Sequence, residues 1–352
     1  MKKLVFLLSA LSLMACNKNE DNENVEKTSS YELSDWAMMK EVEVSVPEGQ
    51  KAMVYVGESL KAEVLGPQET SVIVPAYAKA SSGVRSGVNM SQLEYKVEYV
   101  PMSGEQASTY SDQATIAFED LRENIDGDYN DLIVDVKSLM SVRKSGDDLI
   151  VNVSFLQIAP IAMGAEYDMA FGCKIVAFSA DNELLDSVDV VLSDDVRRDY
   201  FGSTKGMINT TIGKTDYETQ KQENIAGKVA EFKGLAMLSG VKVQLIYYID
   251  VENTGWRHYA VAVAETANNM AYKLGFDGEF VGAGVKQDVI HALGLYLPSV
   301  DSEAIEGSEP IAPFRYPAEK ISIFDVYPNF AKWLAGEKGF NPFVDPTAGL
   351  YK

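Results

Sequence analysis

The sequence predicts a mainly β fold, with a small N-terminal antiparallel β-domain followed by a larger β-sandwich or jelly-roll-like domain carrying one C-terminal helix. Three observations carry this expectation. Apolar and polar residues alternate with period two from Glu41 onward. Gly, Pro and Asp turn signals separate the apolar runs. No long helical period lies between successive strands, which argues against the β-α alternation of a parallel sheet.

The chain opens with Lys2 and Lys3 and then the apolar run LVFLLSALSLMA. A positive start before so short an apolar segment reads as a secretory leader over residues 1–15, too short to span a bilayer. The run ends in Leu13-Met14-Ala15-Cys16, which resembles a bacterial lipobox, in which the Cys becomes the lipid-modified first residue. Met14 is a looser fit than the usual small or β-branched residue there, and an ordinary signal peptide with an incidental Cys is the alternative. No other stretch approaches the roughly 18 apolar residues of a membrane span, so acylation at Cys16 is the expected attachment to the outer membrane.

Residues 16–39 have little apolar content up to Ser30 and read as a flexible acidic tether. Its acids Glu20, Asp21 and Glu23 resemble the export signal that carries some Bacteroidota lipoproteins to the outer face of the outer membrane; a solvated linker is the plainer reading. Display on the cell surface is therefore expected.

The formal net charge is −21, and removing residues 1–15 takes away two Lys and no acid. That balance argues against nucleic acid and anionic membrane surfaces, and it suits divalent cations. With Cys16 given to lipid, Cys173 is left alone and no disulfide framework is available. Cys173 sits in the strand-like MAFGCKIVAF and reads as a small buried hydrophobe. The only histidines, His258 and His291, are too few to favour a zinc or copper site.

Taken in order, YELSDWAMMK (31–40) reads as a short helix or an aromatic anchor. EVEVSV then places Val42, Val44 and Val46 on one face of a strand. Pro47-Glu48-Gly49 is a turn, and KAMVYVG, LKAEVLG and TSVIVPAY continue as strands. These make a small antiparallel β-domain over 40–101, closed by the Gly/Ser-rich KASSGVRSGV. The larger domain, 102–352, follows with ATIAFED, DLIVDVK, DDLIVNVSFLQIAP, DMAFGCKIVAFS and LLDSVDVVL, then an antiparallel pair from VKVQLIYYID and RHYAVAVAE. Gly278, Gly282 and Gly284 follow no phosphate-cradle spacing and read as loops.

One helix is expected in ISIFDVYPNFAKWLAGEKG. Ser322 is an N-cap with Asp325 three residues on, a variant of the capping box. Ile323, Val326, Tyr327, Phe330, Trp333 and Leu334 form an apolar stripe that reads as core. Pro328 falls within the pattern, so the helix kinks there or begins there, and Gly336 ends it.

The chemistry concentrates in AFEDLRENIDGDYNDLIVDVK, residues 117–137, where Glu119, Asp120, Asp126, Asp128, Asn130, Asp131 and Asp135 crowd two strand ends and the loop between them. Oxygen donors in this density suit a hard cation, calcium above all. Asp126, Asp128 and Asn130 alternate, so their side chains can converge from one loop. Asp131 and Asp135 share a parity opposite to Leu132, Val134 and Val136. The loop is not an EF-hand: Asp131 and Lys137 stand where Gly and Glu are needed, and strands flank it. A plain solvated hairpin and a catalytic carboxylate pair are the competing readings. The second lacks any visible nucleophile-base set, although glycoside hydrolysis needs only two carboxylates at a set separation.

These residues carry a resemblance. Phe118-Glu119-Asp120-Leu121 followed by Gly127-Asp128-Tyr129-Asn130-Asp131-Leu132-Ile133-Val134-Asp135 resembles the signature of the LruC-domain family of bacterial surface lipoproteins. The run is compressed here, with Tyr129 alone separating Asp128 from Asn130-Asp131 where the family commonly has a further acid, so one ligand is absent or replaced by Asp126. Phe314-Arg315-Tyr316-Pro317-x-Glu319, with Asp325, Tyr327-Pro328, Phe330 and Trp333, is similar to the family's closing segment. Gly164-Ala165 and Phe171-Gly172 fit its middle, and Asp288-x-x-His291 fits loosely. The resemblance covers 102–350, leaves the N-terminal β-domain outside, and implies fold, location and cation site more than activity.

Trp256, Arg257 and His258 group a cation with aromatics at the start of a strand, a combination found at ligand-binding surfaces; simple packing at a strand end is the plainer reading, as it is for His291. Two functions follow as expectations. One is a non-enzymatic surface lipoprotein whose structural calcium site supports adhesion or the binding of a glycan or protein. The other is a surface glycan-processing hydrolase using the acids of 119–135.

Overall fold

The computed structural model describes residues 38–81, 93–121, 126–181, 183–202, 223–225, 227–254, 256–260, 272–274, 280–283, 292–295, 315–338, 340, 342–343 and 346–349, all within one compact unit, Tyr31–Lys352. The leader, Cys16, the tether acids, Gly278, Gly284, Asp288, His291 and Phe314 lie outside the described residues, as do most of residues 31–40.

The chain is mainly β, as its alternation predicts. The N-terminal strands are β1 (Met39–Val46), β2 (Gln50–Val56), β3 (Ser59–Leu65) and β4 (Gln68–Pro75), followed by the short β5 (Lys79–Ala80) and β6 (Glu94–Pro101). β1 pairs with β4 antiparallel, while β2 lies between β3 and β6. Val44 and Val46 point inward with Ala52, Val54, Val56, Val64, Val72 and Val74, so the period-two pattern of each strand becomes one shared core.

Next come β7 (Ser108–Phe118), β8 (Leu132–Ser145), β9 (Asp148–Ala162), β10 (Met169–Phe178) and β11 (Leu184–Ser193). A π-helical turn at Arg197–Phe201 precedes β12 (Glu223–Ile225), β13 (Lys228–Phe232), β14 (Lys242–Val251) and β15 (Trp256–Tyr259). The short strands β16 (Tyr272–Leu274), β17 (Phe280–Ala283) and β18 (Ala292–Leu295) lead to α1 (Ile323–Val326) and α2 (Pro328–Leu334). Gly282, expected in a loop, lies within β17 at a register shift against β16, between the paired Val281 and Ala283.

The largest sheet runs β12-β9-β8-β7-β3-β2-β6-β5, with β13 also on β9 and β18 on the C-terminal half of β7. The pairs Ala62↔Tyr110 and Glu63↔Thr109 carry it from the N-terminal strands into the body. A second sheet, β11-β10-β14-β15, faces it. Ile116, Phe118, Leu132 and Val134 from one sheet meet Phe171, Ile175, Tyr247 and Ile249 from the other in a sandwich core. Cys173 belongs to this core, and burial pushes its thiol up to about 12.

β7, β8 and β9 are covered on both faces. Ala117, Ile133 and Ile161, one step out of parity with the sandwich core, pack against the stripe of Ile323, Val326, Tyr327, Phe330, Trp333 and Leu334. The proline splits the expected helix in two: α1 ends at Val326, Tyr327 breaks the pattern, and Pro328 begins α2, where its missing N–H costs nothing. Ser322 Oγ accepts from Phe324 N at 3.3 Å as the cap, and Gly336 follows α2 at φ 99. Among the described residues no helix is long and apolar enough to cross a membrane.

Candidate metal centre

The acidic stretch sits where β7 ends and β8 begins, on the edge of the sandwich nearest α1. Phe118 and Leu132 pair across the ladder, so the intervening residues must close a loop just beyond two fully buried side chains. Gly127 (φ 74) and Tyr129 (φ 52) both adopt the left-handed region. Gly127 does so freely, whereas Tyr129 is held there by burial of its ring in the core shared with α1 and α2. With Asp128 between two left-handed residues, the loop folds back and its N–H groups turn inward: Tyr129 N donates to Glu119 Oε1 at 2.8 Å.

Glu119, Asp126 and Asp128 are brought together, with one oxygen of each within 4.8 Å of the others. Glu119 and Asp128 are each 1 % exposed, while Asp126 is exposed. Asp120 and Asp131 adjoin them: Asp120 N donates to Asp131 Oδ2 at 2.7 Å, and Asp120 Oδ2 accepts from Tyr167 N at 3.5 Å. Asn130 is buried, and its N donates to Asp128 Oδ1 at 3.3 Å. Asp135 lies outside the trio; its Oδ1 accepts from Thr115 Oγ1 at 2.6 Å, across the β7–β8 pair.

Two further chain segments complete the surroundings. Gly164 N and Ala165 N donate to the carbonyls of Asn130 and Asp131 at 2.9 and 3.2 Å. From the C-terminal segment, Lys320 N donates to Asp128 Oδ2 at 2.7 Å and Ile323 N to Gly127 O at 2.9 Å. Pro317 O accepts from Asn130 Nδ2 at 3.2 Å. Behind the cluster, buried His258 sets Nδ1 2.6 Å from Glu119 O.

Among the described residues, burial and neighbouring acids raise the carboxyls of the cluster. Burial, followed by the charges of Asp131, Asp128 and Asp126, holds Glu119 well above the usual carboxylate range. Burial likewise raises Asp120, and with Asp120's charge it raises Asp131 strongly. Asp128 is pushed up to about 8 by burial first and then by Asp126, with Glu319 adding to it. Carboxylates so placed are disfavoured as anions unless a cation lies among them. The donor set around the trio consists of oxygens, and it can hold a metal ion.

The family described as Domain of unknown function (DUF4114) matches residues 68–139. That match begins at the first residue of β4, crosses the 101/102 boundary expected between domains, and takes in Glu119 through Asp135. It stops in β8, short of Gly164, His258 and the C-terminal segment. No curated protein and no solved structure matches the chain.

The remaining expected ligand-binding group has other work. Arg257 forms a two-pronged pair with Asp250, at 2.5 and 2.6 Å, and lies 4.1 Å over the Tyr248 ring. Trp256 pairs with Val251 through its backbone, and its side chain lies outside the described residues. A separate cavity, lined by Lys61, Thr70, Ser71, Lys242 and Gln244 among others, carries two ammonium groups already paired internally, Lys61 with Asp112 and Lys242 with Glu41.

Sequence reasoning did not place Glu319 or Gly164 at the centre, although both stand in segments that carry the family resemblance. Their signal was present only as short motifs with no chemical reason attached. Asp126 and Asp128, in contrast, were legible from spacing.

Proposed function

We propose that this chain is a non-enzymatic surface lipoprotein of LruC-domain type, in which a calcium ion among Glu119, Asp126 and Asp128 staples the acidic loop and supports a nearby adhesive or ligand-binding surface. One observation carries the cation part: three carboxylates within 4.8 Å, two of them buried, with the charges of Glu119 and Asp128 disfavoured first by burial and then by neighbouring acids. Calcium is favoured over softer metals because the surrounding donors are oxygens and His258 turns Nδ1 to a backbone carbonyl. The anchoring part is supported by Leu13-Met14-Ala15-Cys16 and the acidic tether.

The test is elemental analysis of the purified chain from Cys16 onward, with melting followed with and without chelator. Bound calcium and a chelator-dependent fall in Tm are expected; no metal and an unchanged Tm would sink the reading. Labelled fatty acid incorporated in cells and lost in Cys16→Ser checks the anchor.

A glycan-processing hydrolase is the second reading, because a carboxyl pushed up to about 8, as at Asp128, is a feature of general acids. A general acid needs one raised carboxyl, whereas Glu119, Asp120 and Asp131 are raised as well, which a shared cation explains better. Glycan binding without turnover favours the first reading. Product release abolished by Asp128→Ala and Asp131→Ala favours the second.

A further inference from the structure

The side chain of Asn130 is oriented by its surroundings. Its Nδ2 donates to Pro317 O at 3.2 Å, and a carbonyl can only accept, so Oδ1 is the atom on the opposite side. That oxygen is buried and has no hydrogen-bond partner among the described residues. It sits where a side chain at position 164 would begin: a Cβ built on Gly164 would lie 2.3 Å from Asn130 Oδ1 and 3.0 Å from Glu319 Oε2.

Two acceptor oxygens therefore converge on the bare Cα of Gly164, one from the acidic loop and one from the C-terminal segment. The same segment reaches Asp128 through Lys320 N, and the Glu319 charge is felt at Asp128. An amide oxygen buried without a donor bears its full desolvation cost, and a carboxylate near it adds repulsion. A cation satisfies the Asn130 oxygen and is attracted by the Glu319 carboxylate beside it.

We propose that Glu319 and the side-chain oxygen of Asn130 are ligands, alongside Asp128, of the bound cation, so that the ion ties the C-terminal segment to the acidic loop. The proposal rests on the cation reading above and adds to it a ligand nearly two hundred positions away along the chain, as the 192-residue separation of Lys320 and Asp128 measures. It makes the docking of α1 and α2, through the segment that precedes them, dependent on the ion.

Calcium titration by calorimetry on the chain from Cys16 onward, wild type beside Glu319→Gln, tests it. The variant keeps the shape and loses the charge. Weakening of at least about tenfold is expected. The variant should also melt higher than wild type under chelator, where the Glu319 charge opposes that of Asp128, and lower with calcium; this crossing is not produced by a merely structural role. Equal affinities with no crossing overturn the proposal and leave the cation reading standing. No calcium uptake by wild type overturns both.

Hydrogen exchange on the wild type supplies a check that needs no variant. Calcium should raise protection over residues 317–323 together with 126–131. Protection confined to 119–131 overturns the proposal.

Discussion

His258 Nδ1 lies 2.6 Å from the backbone carbonyl oxygen of Glu119. A carbonyl accepts, so Nδ1 carries the proton, and β15 on one sheet thereby fixes the end of β7 on the other. The two residues are 139 positions apart, and both are buried. Replacing His258 by Ala leaves that carbonyl without its donor and opens a void. Urea unfolding should show a loss of about 2–4 kcal/mol, and calcium affinity should fall several-fold as Glu119 loses its backbone anchor. A variant as stable as wild type would refute this role.

The pH dependence has a definite sign. Unfolded carboxyls ionise near pH 4, whereas Asp128 in the folded chain is pushed up to about 8, and Glu119 and Asp131 are also raised. Between those values the folded chain binds more protons than the unfolded one, so without calcium stability is greatest in acid and falls as pH rises through the window. Under chelator, Tm should be roughly 5–10 °C lower at pH 8 than at pH 5. Calcium, which needs the ionised acids, should raise Tm more at pH 8. A chelated protein that gains stability between pH 5 and pH 8 would contradict the raised carboxyls of the cluster.

Gly164→Ala tests the cradle sterically. The new methyl would sit 2.3 Å from Asn130 Oδ1 and 3.0 Å from Glu319 Oε2, so one must move. We expect a loss of about 1–3 kcal/mol from overpacking and clearly weaker calcium binding by calorimetry. Gly146→Ala, a turn glycine with open space around it, is the comparison, since any loss there reflects only its positive φ.

Arg197 is a fully buried cation behind the centre. Its Nε donates to Asp168 at 2.5 Å, and its Nη2 donates to Ala165 O and Tyr167 O at 2.5 and 3.1 Å. It thus holds the strand-to-strand loop whose Tyr167 N meets Asp120. Arg197→Met strands both carbonyls, while Asp168 keeps contact with water. A loss of about 3 kcal/mol in denaturant unfolding is expected, with Arg197→Lys recovering little because the fork is lost.

Strands were legible because alternation is local. Val44 and Val46 point inward in the structure as their spacing requires, and Leu132, Val134 and Val136, set by parity opposite Asp131 and Asp135, are buried. The break at Pro328 was legible too, since its ring forbids a continuous helix whatever packs around it. Gly282 lies in a strand and not a loop because its neighbours Val281 and Ala283 pair with β16, which composition does not encode.

The centre divides along the same line. Sequence alone determined that acids crowd the β7–β8 loop, because residues within about fifteen positions of each other must share a neighbourhood. Only the tertiary structure decided which of them converge, that His258 backs Glu119, and that Asn130 Oδ1 and Glu319 meet over Gly164. The physical reason is that period-two burial is set by each strand's own backbone. The meeting of groups 139 and 192 residues apart depends instead on sheet register and on how the C-terminal segment packs, which no local pattern encodes.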